Sequence, residues 1–212
     1  MSRIIAVIDY GMGNLRSVSK AVEHVAAAGD RVLVTDDPKL IRSADRVLFP
    51  GQGAARDCMA AISDHHLNQA VREALKNKPF FGICMGLQVL MTFSEENGGT
   101  PLLDLIPGQV RRFPQARDTQ GRRLKIPQMG WNQVRQCPHP LWSGIPDRSR
   151  FYFVHSYYVQ PDDESLVVGL TEYAATFASV LARGNLFATQ FHPEKSAQAG
   201  LRLLQNFLDW DV

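Results

Sequence analysis

Apolar positions along this chain fall into two periods, one suited to strands and one to helices. Ile4-Ile5-Ala6-Val7-Ile8 is a short β-branched run, and Leu15, Val18, Val22 and Val25 then recur at helical spacing until Gly29 offers a stop. The pair reads as a strand followed by a helix. Residues 31–35, 46–49 and 79–83 repeat the short apolar run, with helix-like or turn-rich segments between them. Strands of this kind alternating with helices predict an α/β fold, an open and mostly parallel sheet flanked by helices on both faces.

The pattern changes after about Gly98. Pro101, Pro107, Pro114, Pro127, Pro138, Pro140 and Pro146 punctuate strand candidates at residues 109–113 and 151–159. Residues 166–170, 176–182 and 186–190 read as a closing set of strands, with a hairpin turn at Arg183-Gly184-Asn185. Additional antiparallel strands are therefore expected in the C-terminal half. Ala197, Leu201, Leu204 and Leu208 set out a last helix with one face on the sheet. No internal repeat, low-complexity tract or linker divides the chain, so residues 1–212 are expected to form one domain.

Composition narrows the function classes. With 212 residues, 45 % of them apolar, the chain can bury one substantial core. A formal charge of +2 gives no general electrostatic footprint for nucleic acid. The one basic stretch, Arg111 and Arg112 to Arg122, Arg123 and Lys125, reads as a solvated strand-and-loop face. No apolar run approaches the roughly 18 residues of a membrane span, so a soluble, cytoplasmic protein is expected. Cys58, Cys84 and Cys137 contain no C-x-x-C pair, which implies neither a disulfide framework nor a zinc ribbon. His65-His66 lacks the spacing of helical zinc ligands and reads as a solvated helix start, so no metal is expected. Gly11-Met12-Gly13 begins like a dinucleotide fingerprint, but Arg16 stands where the third glycine belongs, and no phosphate-binding loop with its Lys-Ser/Thr ending exists. No cofactor is expected either.

Three segments carry chemistry. In Phe81-Gly82-Ile83-Cys84-Met85-Gly86-Leu87-Gln88, a buried strand ends at a cysteine and an apolar helix begins two residues later. Gly82 and Gly86 let the backbones approach, so this reads as a nucleophile elbow; its helix end would favour a thiolate. A small buried hydrophobe is the competing reading of the same cysteine. A cysteine nucleophile needs a base, and the base needs a group that fixes its tautomer. His192-Pro193-Glu194, directly after a strand, supplies both: the proline keeps His192 extended, which would turn residues two apart to the same side. Alone, the tripeptide would serve equally as a helix entry. Pro50-Gly51-Gln52-Gly53 closes another strand, where backbone N–H groups at Gln52 or Gly53, with that of Met85, could stabilise an oxyanion. An ordinary type II turn would use the same Pro-Gly pair.

Taken together and in this order, the three segments resemble the class I glutamine amidotransferases over the whole chain. The resemblance implies a triad at Cys84, His192 and Glu194, oxyanion donors at Gln52, Gly53 and Met85, and glutamine binding by Gly51, Gln88, Ser156 and Tyr157. Within that family the chain is most similar to the glutaminase subunits of imidazole glycerol phosphate synthases. Ile8-Asp9-Tyr10-Gly11-Met12-Gly13-Asn14-Leu15, Pro127-Gln128-Met129-Gly130-Trp131-Asn132, Tyr152-Phe153-Val154-His155-Ser156-Tyr157 and Lys195-Ser196 carry that narrower likeness. It implies a heterodimer with a (β/α)8-barrel cyclase that uses the released ammonia, meeting it through Asn14, Trp131, Asn132, Tyr152 and Lys195. Trp131 is read as a loop aromatic presented to the partner. Gln52 departs from the small aliphatic residue that many members carry there. The competing functions are a glutaminase of another synthase, a γ-glutamyl hydrolase or cysteine peptidase of similar fold, and a partner-binding protein without catalysis.

Overall fold

The computed structural model describes residues 2–117 and 120–212. Its N-terminal half alternates as the apolar pattern predicts. The strands are β1 (Ile4–Ile8), β2 (Arg31–Thr35), β3 (Arg46–Gly51) and β4 (Phe80–Cys84); the helices are α1 (Leu15–Val25), α2 (Pro38–Ser43), α3 (Ala55–Asp64), α4 (Asn68–Asn77) and the single turn α5 (Met85–Gln88). Shorter strands follow: β5 (Phe93–Ser94), β6 (Thr100–Pro101), β7 (Gly108–Arg112), β8 (Gln128–Gln133), β9 (Arg135–Gln136), β10 (Arg150–His155) and β11 (Tyr157–Pro161). The chain closes with β12 (Val167–Glu172), β13 (Thr176–Arg183), β14 (Leu186–Thr189) and helix α6 (Ala197–Leu208).

The main sheet runs β2-β1-β3-β4-β14-β13-β11-β7-β5-β6, with β12 and β9 attached beside β13. Its first five strands are parallel, and β13 opens the antiparallel part. Alternation along each parallel strand explains why helices cover both faces. Ala6, Ile8, Val47, Phe49 and Phe80 pack with Ile41 of α2, Ile62 of α3 and Val71 of α4. Ile5, Val7, Leu48, Phe81 and Ile83 point to the opposite face, against Val18 and Val22 of α1 and Leu203, Leu204 and Phe207 of α6. Both sides are apolar because neither meets water. Among the described residues, no helix is long and apolar enough to cross a membrane.

Several expectations need correction. Residues 151–159 are not one strand: β10 pairs only with β8 in a separate two-stranded sheet, while β11 joins the main sheet, and Ser156 is the break between them. The apolar content is continuous across Ser156, so periodicity carries no mark of the change of sheet. His65 and His66 end α3 rather than start a helix; both are exposed, with His66 at φ +55°. Trp131 lies within β8 and not in a loop. The basic residues Arg112, Arg123 and Lys125 are exposed, as expected.

Candidate active site

Three strand ends meet at the carboxyl edge of the parallel sheet. The register sets Gly51 opposite Cys84 and Thr189 opposite Ile83, so the ends of β3, β4 and β14 lie side by side. Cys84 takes φ +56° and ψ −107°, a conformation that side-chain-bearing residues rarely adopt. The strain persists because the turn cannot relax. A Cβ on Gly86 would overlap the Phe49 carbonyl, and one on Gly82 would meet the Gly86 carbonyl at 2.9 Å. The helix after Cys84 starts at once, at Met85, and is one turn long. Four residues make a small dipole, so the surroundings of the sulfur are set more by its side-chain neighbours than by a helix end.

Those neighbours come from β14 and the turn beyond it. Gln190 is fully buried and donates from Nε2 to the Cys84 sulfur at 3.7 Å, while its Oε1 accepts from Gln88 Nε2 at 2.9 Å. Gln88 Nε2 also donates to the Tyr157 carbonyl at 3.2 Å. A chain of amides thus links β11, α5 and the sulfur. His192 is held by its backbone N–H on the Tyr152 carbonyl, 2.9 Å. Ser196 clamps the same corner: its hydroxyl donates to the His192 carbonyl at 2.6 Å and accepts from the Tyr152 N–H at 2.9 Å.

His192 Nδ1 donates to Glu194 Oε1 at 2.8 Å, with both side chains almost wholly shielded. His192 is extended, as expected, but the chain does not stay so. Pro193, Glu194 and Lys195 form a 3₁₀ turn that folds the carboxylate back under the ring. Nδ1 being engaged, the free nitrogen is Nε2; it is buried without a hydrogen-bond partner of good geometry, yet close enough to Cys84 to feel its charge. Burial alone would push the ring's pKa down. The charge and hydrogen bonding of the Cys84 sulfur, then those of Glu194, outweigh it and raise His192 to about 10. His155 shows the contrary case: burial pushes it down to about 4, with Nδ1 donating to the Tyr157 carbonyl at 2.7 Å. It stands in the cavity wall as a neutral strut.

A cavity of about 570 Å³ opens at Cys84, lined by Gln52, Gly53, Met85, Gln88, Ser156, Tyr157 and His192. Every residue expected to hold glutamine or an oxyanion lies on its wall except Gly51, which is buried behind it. Glu194 also stands back from the wall, reached through His192. Gly11, Met12, Gly13, Glu96 and Pro127 line the cavity as well, and no motif marks them for that place. Glu96 additionally accepts from the Ala55 N–H at 2.7 Å, fastening the start of α3. A volume of this size suits a small, polar ligand.

The residues expected to meet a partner lie outside the cavity. Trp131 is 46 % exposed and stands edge-on to Tyr152 across the β8–β10 pair, with ring centroids 6.1 Å apart; Met129, on the same face of β8, is 65 % exposed. Tyr152 bridges His192, whose turn carries Lys195, and Asn14 caps α1, which packs against that turn. Asn132 is engaged with the Glu172 carbonyl at 2.8 Å.

Comparison with known proteins agrees with this geometry. Residues 6–210 match the family model described as glutamine amidotransferase class-I. The chain is 58 % identical to "Imidazole glycerol phosphate synthase subunit HisH" of Thiobacillus denitrificans, over 100 % of this chain and 93 % of that one. It is 58 % identical to the protein of the same name from Dechloromonas aromatica, over 97 % and 96 %. Among solved structures, PurLQS from Thermotoga maritima aligns with a TM-score of 0.71 at 17 % identity, over 99 % of each chain, a likeness of fold. The glutaminase domain of Trypanosoma brucei CTPS, with bound acivicin, aligns with a TM-score of 0.64 at 17 % identity, over 100 % of this chain and 96 % of that one. With the family model spanning nearly the whole chain and such relatives matching it end to end, this protein belongs to the class I glutamine amidotransferases.

Proposed function

We propose that this chain is the glutamine-hydrolysing subunit of an imidazole glycerol phosphate synthase, with Cys84, His192 and Glu194 as its catalytic triad. The observation that carries the reading is a buried His192–Glu194 pair at 2.8 Å whose free Nε2 adjoins Cys84 at the floor of a cavity. The synthase is the one named in relatives 58 % identical along their length.

The Cys84 sulfur attacks the side-chain carbonyl carbon of glutamine, and its electron pair forms the new C–S bond. As the C–N bond breaks, His192 passes the Nε2 proton to the departing nitrogen, giving ammonia and a γ-glutamyl thioester. Water then adds to the thioester while His192 accepts a proton; the sulfur leaves, and glutamate is released. Glu194 holds the ring with Nδ1 protonated and stabilises the imidazolium. The Met85 N–H and an N–H at Gln52 or Gly53 receive the developing oxyanion. Gly51, Gln88, Ser156 and Tyr157 hold the amino-acid end of the substrate.

Free ammonia is mostly ammonium at neutral pH and is lost to solvent, which favours delivery to a bound partner. That partner would be a (β/α)8-barrel cyclase, docked as a heterodimer on the face formed by Asn14, Trp131, Asn132, Tyr152 and Lys195. Exposure of Trp131 and Met129 beside one another supports this placing, since a large aromatic exposed on a strand is a natural anchor. The whole chain acts as one domain in this scheme. Glutamate release, measured with the chain alone and with the cyclase and its nucleotide substrate, tests the proposal. Hydrolysis that rises on adding the partner and vanishes in Cys84→Ala is expected; no hydrolysis in the complex would refute it.

A further inference from the structure

Two buried polar groups that the hydrolysis scheme leaves unused stand behind the loop carrying Gly51, Gln52 and Gly53. Cys58, on α3 and fully buried, donates its thiol proton to the Gln52 carbonyl at 3.5 Å. In a trans peptide the carbonyl and the following N–H point in opposite directions. Anchoring the Gln52 carbonyl on α3 therefore turns the Gly53 N–H away from α3, in a segment where Gln52 and Gly53 both line the cavity.

The second group is the Tyr10 hydroxyl. Tyr10 is 1 % exposed, and its oxygen is buried beside the Cys58 sulfur without a hydrogen bond of good geometry. Native structures rarely leave such a group unpaired. The oxygen stands directly behind Gly51, where it would overlap any Cβ at that position, and Tyr10 is not part of the cavity wall. Its ring packs on Phe49 with centroids 5.5 Å apart, so the hydroxyl cannot easily swing to find an acceptor. The Cys58 sulfur beside it is only a weak acceptor, so a stronger one has to come to it. A rotation of the Gly51–Gln52 peptide that turned the Gly51 carbonyl toward the phenol would satisfy the hydroxyl and, in the same movement, send the Gln52 N–H toward the cavity. Gly51, without a side chain, leaves that rotation open.

We propose that Cys58 and Tyr10 are positioning residues for the oxyanion donors: Cys58 fixes the peptide that carries the Gly53 N–H, and Tyr10 captures the Gly51 carbonyl when the Gln52 N–H faces the cavity. The inference rests on the glutaminase reading above and adds to it the groups that aim the loop. It also separates stability from activity. Tyr10→Phe removes a hydroxyl whose neighbour at rest is the weakly accepting Cys58 sulfur, so it leaves the resting fold about as stable, while it weakens the working arrangement.

The test uses the full chain in complex with its cyclase and compares Tyr10→Phe, Cys58→Ala and Cys58→Ser. Readouts are kcat and KM for glutamine, the melting temperature, and the rate at which iodoacetamide alkylates Cys84, a reaction that needs no oxyanion donor. Tyr10→Phe is expected to lower kcat about tenfold with KM within twofold, an unchanged or higher melting temperature, and an unchanged alkylation rate. Cys58→Ala should behave likewise in kcat, and Cys58→Ser, which keeps a donor, should recover most of the loss. Unchanged kcat in both Tyr10→Phe and Cys58→Ala overturns the inference, as does alkylation that slows in step with kcat. Those results would leave an active wild type and the glutaminase reading intact. A wild-type complex that alkylates at Cys84 yet releases no glutamate would remove both.

Discussion

The His192 imidazole is the group whose chemistry depends most on its surroundings, and its titration offers the sharpest test of the site. A rise from 6.5 to about 10 corresponds to roughly 5 kcal/mol of preference for the protonated ring, at about 1.4 kcal/mol per unit. Burial opposes that preference, and Cys84 is the larger of the two groups that create it. Cys84→Ser replaces the sulfur with a hydroxyl that stays neutral, leaving Glu194 alone against desolvation. Selective ¹⁵N-histidine labelling would follow both ring nitrogens from pH 5 to 10.5, with His155, pushed down to about 4, as an internal contrast. Wild-type His192 should keep the imidazolium signature to above pH 9, and the variant should titrate at least two units lower. Stability follows the same sign. A folded-state value above the unfolded one contributes stability that is fully present below about pH 6.5 and lost as pH rises toward 10. The wild-type advantage over Cys84→Ser in urea unfolding should therefore shrink across that window. A wild-type ring titrating near 6.5, or the same midpoint in both proteins, would refute the coupling.

Other perturbations probe the frame around the pair. Gly86→Ala puts a methyl into the Phe49 carbonyl and should cost about 3 kcal/mol or more in urea unfolding, beyond the range usual for overpacking, because backbone cannot step aside; normal stability would show that the turn can widen. Gln190→Leu removes the donor to the sulfur and one acceptor for Gln88, so kcat/KM for glutamine should fall about tenfold, a loss of about 1.4 kcal/mol; unchanged kinetics would reduce Gln190 to packing. Ser196→Ala strands the Tyr152 N–H and should lower unfolding stability by about 1–2 kcal/mol. Trp131→Ala should weaken binding to the cyclase by tenfold or more, about 1.4 kcal/mol, in a direct titration while leaving the melting temperature of the isolated chain unchanged, because the ring is half exposed.

The parallel strands were legible because each is apolar on both faces, a pattern that only a sheet buried between helices explains. That Cys84 and His192 come together was legible for a different reason: strand ends carry glycines, Cys84 closes β4, and His192 comes shortly after β14. Less legible were features set by partners distant in sequence. Nothing local to residues 150–161 tells that β10 leaves the main sheet at Ser156, since both halves of that run are equally apolar. Gln190 was visible as part of a motif, but its role appears only when β14 lies beside β4 and directs its amide at the sulfur. Tyr10 read as part of an N-terminal loop, and only the approach of β3 to β1 sets its hydroxyl behind Gly51. His192 is extended, as Pro193 suggests, but the contact with Glu194 is completed by the 3₁₀ turn that follows and not by continued extended chain. Residue identity marks the pair; the local path does not.

Strain at Cys84 and the density of the surrounding core are two aspects of one arrangement. A non-glycine residue at φ +56° and ψ −107° carries on the order of 1–3 kcal/mol of strain, which an isolated strand-turn would release by rotating. Here rotation is blocked on both sides. β4 is paired along its length with β3 and β14, and Phe81, one of its buried side chains, is wedged between Phe187 and Phe207 with centroids 5.5 and 5.1 Å away. Burying aromatic side chains of this kind contributes roughly 1.5–3 kcal/mol each, so the packing exceeds the strain it confines. The sulfur is thereby held toward His192 before any substrate arrives, and the ordering entropy of the nucleophile is spent in folding, not in each turnover. The segment of Gly51, Gln52 and Gly53 has a different design: Gly51 ends β3 opposite Cys84, Gln52 and Gly53 are exposed, and the Cys58 thiol and Tyr10 hydroxyl stand behind them. In the proposed hydrolysis, a rigid nucleophile facing an adjustable set of donors would let a partner govern the rate through the loop while the Cys84–His192 geometry stays fixed.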